Sequence, residues 1–150
     1  MKVCTDSLEV ATRGFTHVID LTERLAECLA RSQLSDGVLT AFVPGSTGAL
    51  TTIEYEPGLL EDIPALFEKI APRDFPYRHH ETWHDDNGSA HLRAALVGPS
   101  ISVPFVQGRL TLGTWQQLVL VDFDTRPRRR RLVVQIIGSA SGSSKRRSTE

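Results

Sequence analysis

The chain has little cysteine, no long apolar run and almost no net charge, and each shortage excludes something. Two cysteines, Cys4 and Cys28, are too few for a disulfide framework, and neither has the CxxC spacing of a zinc or redox motif. Both read as reduced thiols. No apolar run approaches the roughly 18 residues needed to span a bilayer. Asp6, Glu9 and Arg13 fall where a signal peptide would carry its apolar stretch. No membrane partner and a cytoplasmic location are therefore expected. With 40% apolar and 23% charged residues the chain is not disordered as a whole, and 150 residues suffice for one core but not for two.

What is present is unevenly placed. Residues 126–150 hold Arg126, Arg128, Arg129, Arg130, Arg131, Lys145, Arg146 and Arg147 against Glu150 alone, a surplus of seven positive charges. Because the whole chain stands at −1, the rest is acidic by eight. Four of the five histidines, His79, His80, His84 and His91, fall within thirteen residues.

Alternation over Leu8, Val10 and Thr12 predicts a strand ended by Gly14, and a second short strand over 15–18 would make a hairpin with it. Leu21, Leu25, Cys28 and Leu29 recur at helical spacing behind Asp20, a suitable N-cap with Glu23 three residues on. Residues 38–44 and 49–55 read as buried strands joined by Pro44-Gly45-Ser46-Thr47-Gly48. A second helix starts at Pro57 and carries an apolar stripe to Ile70, with Pro64 awkward inside it. Residues 73–87 show no apolar period and read as a loop, while AHLRAALVG is ambiguous between helix and strand. SISVPF, RLTLGTWQQLVLVDFD and RRLVVQIIG supply three more β segments, the middle one bending at Gly113. Strands mixed with helices rather than strictly alternating with them predict an α+β fold with a mainly antiparallel sheet. The chain divides into a domain over 1–138 and a disordered basic tail over 139–150, which lacks any large apolar group.

Three segments carry candidate chemistry. HHETWHDDNGSAH places His79, His80, His84 and His91 beside Glu81, Asp85 and Asp86, a donor set suited to a divalent metal such as zinc, or to an anion. A polar loop with exposed histidines is the plain alternative. His80 and His84 share a face only on a helix, and the residues between them favour a loop. The Pro44–Gly48 turn exposes backbone N–H groups and the hydroxyls of Ser46 and Thr47, which suits a phosphate, and equally describes an ordinary tight turn. Glu54 closes the following strand as a candidate base. Arg109 is a candidate phosphate clamp, and Trp115 reads as core or subunit contact. Nucleic acid is an unlikely partner, because the basic runs lack interleaved aromatics and the remainder of the chain is acidic.

The segment FVPGSTGALTTIEYEPGLLEDI, the run from Pro76 through His91-Leu92, Gly98-Pro99 and GRLTLGTWQQ resemble the secondary thiamine-phosphate synthase family, also called YjbQ-like, over about residues 5–138. The resemblance implies strands in two packed layers with two helices, assembled as a homotrimer. It also implies a weak activity that joins an aminopyrimidine diphosphate to a thiazole phosphate and releases pyrophosphate. The ligand is then a small phosphorylated molecule held at a metal-assisted site between subunits. Within that site Glu54, His84 and His91 are the expected catalytic residues, Ser46, Thr47 and Arg109 hold phosphate, and His79, His80, His84 and His91 hold the metal. The competing expectation is a trimer that binds a metal or anion without turnover. Many members carry a histidine where this chain has Gly45-Ser46-Thr47-Gly48. Either His80 or His84 replaces it from another direction, or this chain takes a different ligand.

Overall fold

The computed structural model describes residues 1–140. Its strands form two antiparallel sheets. In the larger, β1 (Lys2–Thr12), β8 (Arg128–Ser139), β3 (Asp36–Phe42), β5 (Ser100–Val106) and β6 (Arg109–Leu110) lie in that order. In the smaller, β7 (Gln117–Asp122) is flanked by β2 (His17–Asp20) and β4 (Gly48–Ile53). Four helices accompany them: α1 (Thr22–Ser32), α2 (Pro57–Ile70), α3 (Arg78–Trp83) and α4 (Gly88–Val97).

Period-two alternation assigns the faces. On β8, Arg130, Leu132, Val134 and Ile136 point inward while Arg129, Arg131 and Val133 point out. The inward set joins Leu39, Phe105, Leu118, Leu120 and the α1 residues Leu25, Cys28 and Leu29 in one core between the sheets. The other face of the small sheet presents Val18, Ala49, Val119 and Val121 to Ala90 and Ala94 of α4 and to Leu60, Ile63 and Phe67 of α2. Covered on both sides, β7 reads as an unbroken apolar run, LVLV, with no alternation. The outer face of the large sheet is uncovered and exposes Val3, Val38, Phe42, Val106, Val133 and Ile137.

The α+β class and the antiparallel pairing agree with expectation, and several details correct it. The first two strands make no hairpin: β1 pairs with β8 and β2 with β7. The link between them crosses from one sheet to the other through Gly14, Phe15 and Thr16, all at positive φ. Gly14 is required there, since a Cβ would stand 2.5 Å from the Asp124 carbonyl and 2.7 Å from that of Arg126. Asp20 caps α1 from one residue further out than the N-cap, its carboxylate accepting from the Thr22 N–H at 2.9 Å. The second helix runs on through Pro64. Four helices stand in place of two, because AHLRAALVG lies in α4 and part of the segment read as loop is the short α3. Alanine, leucine and arginine favour the helix in AHLRAALVG, and the small Ala90 and Ala94 let it lie close against the sheet. The segment read as one bent strand divides into β6 and β7. Trp115 is exposed in this chain. Ser139, assigned to the tail, ends β8; residues 141–150 lie outside the described residues.

Candidate functional site

One end of the small sheet gathers three backbone features. The turn from Pro44 leads into β4 at Gly48, α4 lies across β4, and the Gly98–Pro99 link ties both down. The Val43 N–H donates to the Pro99 carbonyl at 2.9 Å and the Leu50 N–H to that of Gly98 at 3.0 Å. Gly98 has a φ of +99°, which favours glycine. Between them lies a pocket of about 360 Å³ lined by Gly45, Ser46, Gly48, His91, Ala94 and Pro99.

His91 reaches this pocket half-buried, and its ring packs on that of His79 with centroids 4.3 Å apart. Burial, then the neighbouring His79, hold the His91 imidazole below its ordinary pKa, against a weaker opposite pull from Asp85 and Asp124. The His79 Nε2 lies 3.2 Å from an Asp85 carboxylate oxygen, outside hydrogen-bond geometry. Among the described residues that nitrogen and the Asn87 Oδ1 are buried without a hydrogen-bond partner. Asn87 precedes His91 by one helical turn, so both orphaned atoms belong to residues adjoining His91. Buried polar groups are ordinarily satisfied; two orphans in one neighbourhood suit a polar ligand.

A charged cluster lies beneath the turn, and Asp122, Asp124, Arg128 and Arg130 were absent from the sequence candidates. Arg130 grips Asp122 with two parallel bonds, Nε at 2.8 Å and Nη2 at 2.9 Å, and its Nη2 also donates to the Thr47 hydroxyl at 2.7 Å. Thr47 in turn donates to Asp124 at 3.2 Å, Thr12 donates to Asp122 at 2.6 Å, and Arg128 binds Asp124 at 2.6 Å. Burial pushes both carboxyls up, but the bonds from the arginines, threonines and backbone N–H groups outweigh it and hold both below the usual range. Period-two spacing from Leu132, Val134 and Ile136 places Arg130 on the inner face, a signal hidden in the run of four arginines.

The predicted residues are therefore dispersed within one chain. His91 and Ser46 line the pocket, and His79 adjoins it. Thr47 is buried and already engaged by Arg130 and Asp124. His80 and His84 do share a face, since α3 is helical with His84 at its C-cap, but their rings stand 6.1 Å apart on an exposed surface. Glu54 follows the far end of β4, where Ile53 pairs with Gln117 while Gly48 pairs with Asp122. At ~3.3 Å per residue this is roughly 17 Å or more from the turn. Arg109 pairs with Val106 at the end of β5 remote from Pro99. Among the described residues no three histidine, cysteine or carboxylate side chains converge in the arrangement a metal ion takes.

Fold and site together define a small α+β protein of two antiparallel sheets, with a half-buried histidine pair beside a glycine-hydroxyl turn. The family model for UPF0047 protein YjbQ-like matches residues 6–139, and the chain belongs to that family. It is 38% identical to a UPF0047 protein of Archaeoglobus fulgidus over 130 residues, which is 87% of this chain and 98% of that one. It is 40% identical to a UPF0047 protein of Mycobacterium tuberculosis over 128 residues, 83% of this chain and 92% of the relative. Among solved structures, a YbjQ-like protein of unknown function from Sulfolobus solfataricus P2 is similar with a TM-score of 0.86 at 32% identity, covering 92% of this chain and 99% of that one. No helix among the described residues is long and apolar enough to cross a membrane.

Proposed function

We propose that this protein binds a small phosphorylated molecule in the His91 pocket and has the weak thiamine-phosphate synthase activity that its sequence resemblance implies. In that reaction a carbon–nitrogen bond forms between an aminopyrimidine and a thiazole phosphate as the carbon–oxygen bond to pyrophosphate breaks. The observation that supports the reading best is the pocket itself. A half-buried imidazole, Ser46, Gly45 and Gly48 share one recess. His91 favours its neutral form, so it can accept a hydrogen bond or a proton at neutral pH. Ser46 and the turn's backbone N–H groups suit the leaving pyrophosphate.

Glu54, His84 and Arg109 meet this pocket in our reading only across subunits of a homotrimer. The hydrophobic side chains exposed on the outer face of the large sheet, Val38, Phe42, Val133 and Ile137 among them, support such an assembly, with Arg129 and Arg131 on the same face. A divalent ion, zinc foremost, would find His79 and His91 here and take its remaining donors from a second copy; no step of the reaction is assigned to it. The dispersal of Glu54 and His84 from His91 favours a second reading, a trimer that binds the phosphorylated ligand without turnover. Expression in a strain lacking its thiamine-phosphate synthase decides between them. Growth without thiamine, abolished by His91→Ala, is expected; soluble protein that supports no growth refutes the catalytic reading.

A further inference from the structure

We propose that Arg130 is the anion anchor of the His91 pocket, its Nη1 reaching a phosphoryl oxygen through the gap left by the missing side chain of Gly45. The inference rests on the reading above for the class of ligand, and on geometry for the residue.

The Arg130 side chain is only 10% exposed and is fixed by Asp122 and Thr47, which take the donors on Nε and Nη2. Nη1 donates to no group among the described residues. The arginine thus offers a free, pre-oriented pair of donors. A Cβ at Gly45 would stand 3.1 Å from this Nη1 and, its two chain neighbours aside, would meet no other atom within 4 Å. The empty Cβ position is therefore a point at hydrogen-bond distance from a guanidinium nitrogen, with room around it. A Cβ on Gly48 would lie 3.7 Å from the same guanidinium, so both glycines that line the pocket also neighbour Arg130, which itself lines the adjoining recess beside Pro44, Thr5 and Ser7. An oxyanion entering beside Ser46 and His91 can place one oxygen where Gly45 has no side chain. Arginine suits such a contact because its fork is planar, permanently charged and held rigid by the Asp122 pair.

Two arginines, Arg128 and Arg130, balance two carboxylates in this cluster, so the site offers fixed donors rather than a strong net field. Binding should accordingly depend on geometry more than on salt. Arg129 provides the contrast: it lies on the opposite face of β8, is 82% exposed and is paired with Glu9.

The test is titration calorimetry of the full chain with inorganic pyrophosphate, and with inorganic phosphate as a second probe. Wild type is expected to bind pyrophosphate. Gly45→Ala, which fills the gap and leaves Arg130 in place, is expected to weaken binding about tenfold or more, the loss of a charge-assisted bond. Arg129→Ala is expected to bind within about twofold of wild type. Because Gly45 has a φ of +150°, the variant's fold is checked by circular dichroism. In wild-type protein labelled with 15N-arginine, pyrophosphate should also shift the Arg130 guanidinium signals, assigned by their loss in Arg130→Lys, and not those of Arg129. Wild type that binds neither probe, wild-type affinity in Gly45→Ala, or shifts confined to Arg129 would each overturn the inference. Growth rescue that survives Gly45→Ala alongside unchanged pyrophosphate affinity would leave the proposed function standing while removing Arg130 from it.

Discussion

Replacing Arg130 by methionine should strip a fully buried carboxylate of the bidentate partner it has among the described residues. Asp122 is 0% exposed, and besides Arg130 it keeps the Thr12 hydroxyl at 2.6 Å and the Asp124 N–H at 3.0 Å. Those two bonds carry no positive charge. Breaking a buried ion pair from one side typically costs about 3–5 kcal/mol, against a total of order 10 kcal/mol for a domain of this size, so the variant should stay folded but lose a third to a half of its stability. Urea unfolding followed by circular dichroism at fixed protein concentration measures the difference, with Arg129→Met as a surface control expected to lose under about 1 kcal/mol. The loss should also depend on pH. In wild type the Asp122 carboxyl is held below its usual range, so its contribution is complete above the unfolded value near 4 and disappears as pH falls through the lower folded value. In the variant the same carboxyl, buried without a cation, takes up its proton at higher pH. The gap between the two proteins should therefore narrow as pH falls from 7 to 4. A loss under about 1 kcal/mol, or a gap unchanged over that range, would refute the assignment of Arg130 as the counter-ion of a buried charge.

Gly14→Ala combines a φ of +73° with a clash against two carbonyls, whereas Gly98→Ala has a φ of +99° but open space. Thermal melts should show a much larger fall in Tm for the first, and equal shifts would contradict the steric argument. The His91 imidazole, followed by NMR in protein treated with EDTA, should titrate below the ordinary value of about 6.5 and move upward, without reaching it, in His79→Ala, since burial is the larger cause. Because the fold favours neutral His91, acidifying through that region should lower stability; a titration at or above 6.5 would contradict this. Val133→Lys, on the outer face of the large sheet, should reduce the proposed trimer to monomer in light scattering, and an unchanged mass would place the subunit contact elsewhere.

Much of the fold was legible in the sequence because its periods are clean. The stripe of α1, the alternation of β8 and the unbroken apolar run of β7 each report directly on which faces are covered. The partner of β1 was not legible, because the crossover runs through positive φ at Gly14, Phe15 and Thr16, and of these only the glycine signals it in the sequence. The short α3 has only six residues and none of them is buried, so it carries no apolar period to read. In the candidate site, histidine density singled out four side chains, of which His79 and His91 do meet. It did not separate them from His80 and His84, whose exposure depends on how α3 is turned. Thr47 was recognised as a hydroxyl near a turn, but its role under Arg130 follows from a pairing 83 residues away in sequence. Arg130 itself was concealed by the arginines around it, although its alternation with Leu132 and Val134 was available all along.

The His91 pocket is proposed to take a small phosphorylated substrate and turn it over. Purified protein incubated with the aminopyrimidine diphosphate and the thiazole phosphate, with thiamine phosphate and released pyrophosphate both quantified, tests it most directly. Equal amounts of the two products from wild type, and none above background from His91→Ala of unchanged fold, is the predicted result. Wild-type protein that binds pyrophosphate yet forms no thiamine phosphate, or a His91→Ala variant that forms it at the wild-type rate, would contradict the account.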